Sequence, residues 1–276
     1  MDCAPLDAGP RDPLLGNVLT YTFDGDDSAT EVIHDRSGNR LDGALEGGSV
    51  QLGGQYGLCV GDNGSGSPIV ELPSHPLLHV GSALTLETWV YRTRIEIGEG
   101  LITIFDPVTQ TGELIFEILP DDGLWFGIAS GDCDAPTMQA VSLPAGTAPI
   151  GADEWVHVAV TWDGDHARFY KAGEEVYDDS LTATPCPSDR PLTLGATGSE
   201  LLPLEGWLDD VKISSYAKTA SEIQASAAHD PTVAGPRCGD SQVDEGEDCE
   251  PPAPCCDPAT CLYAPVDCRC QECVVG

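Results

Sequence analysis

The sequence predicts an all-β chain, a two-sheet antiparallel sandwich over residues 1–228 with a small disulfide-rich module behind it. Two observations carry that expectation. Short apolar runs with period-two alternation, broken by Gly, Pro, Asn and Asp, recur from Val18 to Ile213, and no long helical periodicity competes with them. Cysteine is also unevenly placed: Cys3, Cys59, Cys133 and Cys186 are scattered over the first 237 residues, whereas Cys238, Cys249, Cys255, Cys256, Cys261, Cys268, Cys270 and Cys273 crowd the last 39.

The strand-like runs are Val18 to Phe23, Gln55 to Val60, Leu84 to Tyr91, Leu101 to Phe105, Glu113 to Leu119, Leu124 to Ile128, Trp155 to Trp162, Ala167 to Lys171, Pro191 to Leu194 and Gly206 to Ser214. That number suits two packed sheets. Asp163-Gly164-Asp165-His166 joins two runs, and Asp-Gly supplies the positive φ of a tight hairpin. A second turn at Lys171-Ala172-Gly173-Glu174 extends this to a three-strand meander. One helix is expected, Thr219 to Ala228, capped by Thr219 or Ser221 and turning Ile223 to the sandwich. His229 to Arg237, with Pro231, Gly235 and Pro236, reads as a linker, which leaves residues 238–276 as the C-terminal module.

That module has little to bury beyond Val243, Leu262, Tyr263 and Val266, so it needs cross-links or metal. Twelve cysteines, dense at one end, point to an oxidising compartment and hence to a secreted or cell-surface protein. Met1-Asp2-Cys3 lacks a basic and an apolar signal region, so Met1 is read as a start that follows a removed signal peptide. Asp2 does not suit cleavage to a lipidated cysteine, and Cys3 is expected in a disulfide. No run of 18 apolar residues exists, which argues against membrane insertion. The 46 acidic residues against 12 basic leave a net charge of −34, which repels phosphate backbones and anionic lipids and speaks against nucleic acid as a partner. Calcium sites, a cationic partner and plain solubility remain, and solubility accounts for most of the carboxylates.

The runs LTLETWVYRT (84–93), EWVHVAVTWDGDHARFYKAGEEV (154–176), LTLGATG (192–198) and GWLDDVKISSYAKTASEI (206–223) resemble laminin G-like domains of the concanavalin A-like jelly-roll superfamily. YTFDGD (21–26), DRSGNRLDGAL (35–45) and GGQYGLCVGD (53–62) look like the opening of the same family, so the likeness spans roughly residues 15–228. The resemblance implies a jelly-roll topology in which chain ends meet. It also implies a calcium ion between Asp24 and Asp209, with backbone oxygens around Asp35 to Gly43 completing the shell. The alternative is that both are ordinary end-of-strand carboxylates. Asp26, Asp27, Asp62, Asp163 and Asp165 are explained as turn residues without metal.

From Cys238 the sequence CGDSQVDEGEDCEPPAPCCDPATCLYAPVDCRCQEC resembles the start of disintegrin-like domains and the cysteine-rich repeats that end many bacterial surface proteins. This resemblance implies calcium held by Asp240, Asp244, Glu247 and Glu250 with backbone oxygens of Arg237 and Gln242. Four carboxylates within eleven residues would repel one another unless neutralised. The family has Asn where Asp240 stands and usually Asp at Glu250, and the region of its integrin-binding loop is not reached, so integrin recognition does not transfer. A zinc reading of the eight cysteines lacks two separated Cys-x-x-Cys halves. Their pairing is not legible, since eight cysteines allow about 105 connectivities. In the sandwich the expected pairs are Cys133 with Cys186 and Cys3 with Cys59.

Catalysis is not expected. A glycosidase needs two carboxylates about 5–10 Å apart, and the strand most suited to a concave face, GELIFEIL (112–119), offers only Glu113 and Glu117 without an acidic-x-acidic pattern. No Ser-His-Asp or Cys-His order with a nucleophile context occurs, and His157, in a strand buried on both faces, reads as a packing residue. Trp125, Trp207 and Tyr177 are the candidate ligand anchors, because sugar faces stack on aromatic rings, although each tryptophan could equally be core. The expectation is a non-catalytic, calcium-stabilised extracellular binding or adhesion module for a glycan or a surface protein. A purely structural interaction protein and a polysaccharide-degrading enzyme are the alternatives.

Overall fold

A computed structural model describes residues 16–23, 32–46, 48–52, 54–55, 58–62, 70–106, 108–198 and 202–228. Cys3, Asp24, the linker and the cysteine-rich tail, with Asp240, Asp244, Glu247, Glu250 and all eight tail cysteines, lie outside the described residues. Val18–Ala228 form one compact unit.

The strands among the described residues are β1 (Asn17–Tyr21), β2 (Val32–Ile33), β3 (Gly43–Leu45), β4 (Gly48–Leu52), β5 (Leu58–Asp62), β6 (Val70–Leu72), β7 (Leu84–Arg92), β8 (Glu99–Asp106), β9 (Thr111–Ile118), β10 (Leu124–Ser130), β11 (Thr137–Ser142), β12 (Trp155–Trp162), β13 (His166–Lys171), β14 (Glu174–Ser180), β15 (Leu192–Leu194) and β16 (Gly206–Ser214), followed by α1 (Ala220–Ala228). They form two antiparallel sheets. Sheet A runs β14-β13-β12-β7-β16-β5-β4, with β1 beside β16, and sheet B runs β11-β10-β9-β8-β15-β6-β3-β2. This is the two-sheet sandwich the alternation predicts, with the jelly-roll topology the family resemblance implies. The first strand and the last lie side by side.

Between the sheets sits one apolar core. Leu84, Leu86 and Val90 of β7, Val156, Val158, Val160 and Trp162 of β12, and Leu208, Val211 and Ile213 of β16 meet Leu114, Phe116 and Ile118 of β9 and Leu124, Phe126 and Ile128 of β10. A period of two then sends the intervening residues to the outer faces. The β12–β13 hairpin closes as expected, with Gly164 at φ 102° and the Asp163 carboxylate accepting from the N–H groups of Asp165 and His166. At α1 the Thr219 hydroxyl accepts from Glu222 N–H while the Glu222 carboxylate accepts from Thr219 N–H, a capping box. Ile223 packs on Ala159 and Tyr170, on the outer face of sheet A.

Several strands are absent from the sequence reading. β2, β3 and β6 have two or three residues each, too few for alternation to register. β11, TMQAVS, is an edge strand with only Val141 buried, so its apolar signal is faint. The run begun at Pro191 starts instead at Leu192, consistent with the proline's missing N–H.

One end of the sandwich is organised by a buried cation. Arg92, fully buried, donates to the Glu99 carboxylate, to Asp122 Oδ1 (2.8 Å), and to the backbone oxygens of Ile150 (2.6 Å) and Ile97 (3.2 Å). Glu99 also accepts from Glu205 N–H and Asp122 from Glu96 N–H, so four loops hang on one guanidinium. Arg92→Ala strands Glu99 without its cation, and a loss of about 3–5 kcal/mol is expected on the precedent of broken buried pairs. The urea-unfolding midpoint reads this directly; a change no larger than that of an exposed substitution would show that the loops do not depend on Arg92.

Candidate functional site

The outer face of sheet B is set by the core on its other side. With Leu114, Phe116 and Ile118 pointing inward, β9 presents Glu113, Ile115 and Glu117 outward, and β10 presents Trp125, Gly127 and Ala129. Register places Trp125 between Glu117 on β9 and Ser142 on β11, and Gly127 between Ile115 and Ala140. A groove of about 270 Å³ opens on this face. Its floor is the buried pair Ile115 and Ala129; the half-buried Trp125, Phe105, Met138 and Pro136 form its sides, and the exposed Gln110 and Thr111 its rim.

Trp125 lies down along its own strand because Gly127 lets it. A Cβ at Gly127 would stand 2.4 Å from the indole and 3.0 Å from Met138 Cγ. The ring therefore rests on bare backbone as one side of the groove. The far end is anchored by the Cys133–Cys186 disulfide, the pairing expected within the sandwich. That bond ties the β10–β11 turn, which carries Pro136, to a segment that also bonds through Cys186 N–H to Ala129 O and Thr184 N–H to Ser130 Oγ. Closing a loop of 53 residues adds about 4 kcal/mol to the stability of the fold in the chain-entropy account, and the bond itself fixes the turn to the 184–186 segment.

The carboxylates on this face differ in role. Glu113 is fully buried and accepts from Val80 N–H and Ser188 N–H (3.1 Å), with His79 Nδ1 at 2.8 Å, so it staples two loops to the sheet. Burial pushes the Glu117 carboxyl above its ordinary range, opposed by a hydrogen bond from Thr197 Oγ1 (3.0 Å). The loop bearing Thr197 crosses Gly100, where a Cβ would meet Ala196 C at 2.2 Å. Asp106 on the adjacent β8 pairs with Thr111 and is held by Arg190, while Glu71, on the same face, belongs to β6, three strands from β9. At about 4.8 Å per strand that is about 14 Å, beyond the ~10 Å limit of a glycosidase pair.

The other candidate residues lie elsewhere. Trp207 is on the outer face of sheet A, its indole over Gly61 and its ring centroid 5.2 Å from that of Tyr91, which in turn stands 5.7 Å from Trp155. Tyr177, on β14, stacks on Phe169 at 6.5 Å and packs against the core, with its hydroxyl on Asp179 Oδ2 (3.1 Å). Trp125, Trp207 and Tyr177 thus share no surface. His157 is 2 % exposed, 3.3 Å from Glu87 Oε2 and edge-on to Trp89. Burial alone would raise the Glu87 carboxyl, but the Lys218 ammonium and the hydrogen bond from His157 hold it well below the usual carboxylate range.

Of the calcium pair in the sandwich, Asp24 lies outside the described residues. Asp209 is buried, its Oδ1 accepts from Asp210 N–H (2.8 Å), and burial together with its charge pushes the neighbouring Cys59 thiol up to about 12. Asp35 uses both oxygens on Thr20 N–H, Ser37 N–H, the Ser37 hydroxyl and Leu41 N–H, tying the 35–41 loop to β1. Among the described residues no three His, Cys, Asp or Glu side chains converge on a metal position. The Cys3–Cys59 pairing falls outside the described residues at Cys3.

The strand order is that of a two-sheet jelly-roll sandwich. Residues 63–224 match a laminin G family described as the concanavalin A-like lectin/glucanases superfamily, and the chain belongs to that family. No curated protein sequence matches it. Among solved structures it is similar to the binding domain of Paraclostridial mosquitocidal protein 1 (TM-score 0.60, 14 % identity, 83 % of this chain and 55 % of that one). It is similar also to the botulinum neurotoxin serotype D ligand-binding domain in complex with N-acetylneuraminic acid (0.56, 11 %, 79 % and 52 %). A third is domain 4 of AbnA, an extracellular arabinanase of Geobacillus stearothermophilus, in complex with arabinotriose (0.54, 17 %, 76 % and 98 %). The chain spans about half the length of the toxin domains it matches, and identities this low establish the shared fold alone.

Sequence reasoning named Trp125 as a candidate without its setting. Phe105, Gln110, Thr111, Pro136 and Met138 converge from three strands and two turns, and no spacing along the chain signals that. Gly127, two residues after Trp125, was the one local clue. Gly127→Ala is expected to displace the indole, moving the Trp125 Nε1–H cross-peak in a ¹⁵N NMR spectrum while leaving the other four tryptophan signals in place; an unmoved peak would mean the ring does not rest on Gly127.

Proposed function

We propose that this protein is an extracellular, non-catalytic glycan-binding module whose site is the Trp125 groove of sheet B. The observation that carries the reading is the half-buried indole over Gly127 beside an apolar floor, with the Thr111 hydroxyl and the Gln110 amide at the rim. A sugar presents an apolar C–H face and a ring of hydroxyls, which is the complement of such a groove. Two structures with this fold, one in complex with N-acetylneuraminic acid and the other with arabinotriose, support a saccharide as the ligand class. The engagement of Glu113 and the separation of Glu117 from Glu71 support binding without hydrolysis. The Cys133–Cys186 disulfide supports an oxidising, extracellular setting.

Trp125→Ala is expected to lower retention on a glycan array at least tenfold with the unfolding midpoint little changed. Binding that survives the substitution intact moves the site off sheet B. Calcium belongs to the same proposal, at Asp24 and Asp209 in the sandwich and at Asp240, Asp244, Glu247 and Glu250 in a separate tail module, residues 238–276. An ion present at a hundred times its Kd contributes about 2.7 kcal/mol, which for a domain of this size lowers the melting temperature by about 5–10 °C on removal with EDTA. A melting curve indifferent to EDTA and to added calcium would dispose of both sites.

A further inference from the structure

We infer that the Trp125 groove takes neutral saccharides and discriminates against sialylated and uronic-acid-bearing ones, a conclusion that rests on the glycan-binding reading of the same site. Among the described residues the groove lining contains no Lys, Arg or His; beside the Trp125 indole N–H its polar side-chain groups are the Gln110 amide and the Thr111 hydroxyl. A carboxylate-bearing sugar would find hydrogen-bond partners there but no cation. The Arg190 guanidinium stands behind the rim and is engaged: Nη1 lies 2.8 Å from Asp106 Oδ2, and Nη2 donates to Thr109 Oγ1 (3.2 Å) and Thr111 Oγ1 (3.4 Å). Asp106 is itself fixed by Val108 N–H (2.8 Å). This pair contributes no net charge to the rim.

The unbalanced charge beside the groove is negative. Glu117 stands across from Trp125 and two residues from the groove-floor residue Ile115 on the same face, so about 7 Å separates them along the strand. Its hydrogen-bond partner is the neutral Thr197 hydroxyl, and among the described residues no cation pairs with it. At about 7 Å in a water-like medium, one like charge weakens binding of an anion by about threefold. The net charge of −34 adds to that repulsion at long range. A neutral sugar incurs neither penalty, and its hydroxyls can donate to a carboxylate as readily as accept from Thr111.

The test compares the full chain on matched pairs: lactose against 3′-sialyllactose, and galactan oligomers against oligogalacturonates, at pH 7.5 and about 0.01 M salt, where the screening length is about 30 Å. Neutral members should bind in a manner abolished by Trp125→Ala, with their acidic counterparts at least threefold weaker. Glu117→Gln removes the like charge, and Asp106→Asn frees Arg190 while leaving an oxygen for Val108 N–H; each should shrink the neutral-to-acidic ratio by about threefold. Two variants guard against one failing to fold. Acidic members binding equally or more tightly through Trp125, or a ratio that neither variant changes, would overturn the inference and leave the glycan site standing. Loss of Trp125-dependent binding to every member would overturn the glycan site itself, and the selectivity with it.

Discussion

The long strands of both sheets contribute alternate side chains to a single shared core, and the outward side chains are placed by that commitment. Leu114, Phe116 and Ile118 must face Leu84, Leu86 and Val90 across the sandwich, so Ile115 and Glu117 have no choice of face. A register slip by one residue would bury Glu117 and expose Phe116. The groove is held in place by burial of residues that never touch it, and the cost of moving it is that of unmaking the core.

Polar groups finish what the core begins, at three positions. Arg92 gathers four loops at one end, Glu113 staples the segments around Val80 and Ser188 across sheet B, and Glu87 joins His157 and Lys218 beneath α1. Each is a buried charge with a partner of opposite charge or with hydrogen-bond donors beside it, which is the condition under which such groups are tolerated. Their effect is positional. The disulfide extends the same logic to the turn bearing Pro136, so the groove has rigid walls on the strand side and the turn side alike.

The surface carries the opposite message from the groove. Acidic side chains dominate the chain, yet the groove lining is uncharged. A site without charge on a strongly anionic protein favours ligands recognised by shape, stacking and hydroxyl geometry over those drawn in by a field. Structures that share this sandwich hold sugars of both kinds, so the fold leaves the choice of ligand to local side chains.

Local pattern carried the long strands, the Asp163-Gly164 hairpin, the capped helix and the family. Each depends on neighbours within a few residues, and periodicity or turn chemistry reports such neighbours faithfully. The short strands β2, β3 and β6 and the polar edge strand β11 were out of its reach, since two or three residues hold no period and an edge strand need bury little. Composition likewise set the acidic, cysteine-divided character of the chain. Only the tertiary structure separated Trp125, Trp207 and Tyr177 into three surfaces, engaged Glu113 and left Glu117 beside the groove. The reason is physical: which face of a sheet is solvated, and which residues from distant strands meet there, follows from cross-strand register and loop crossings, and those are contacts that no single stretch of sequence contains.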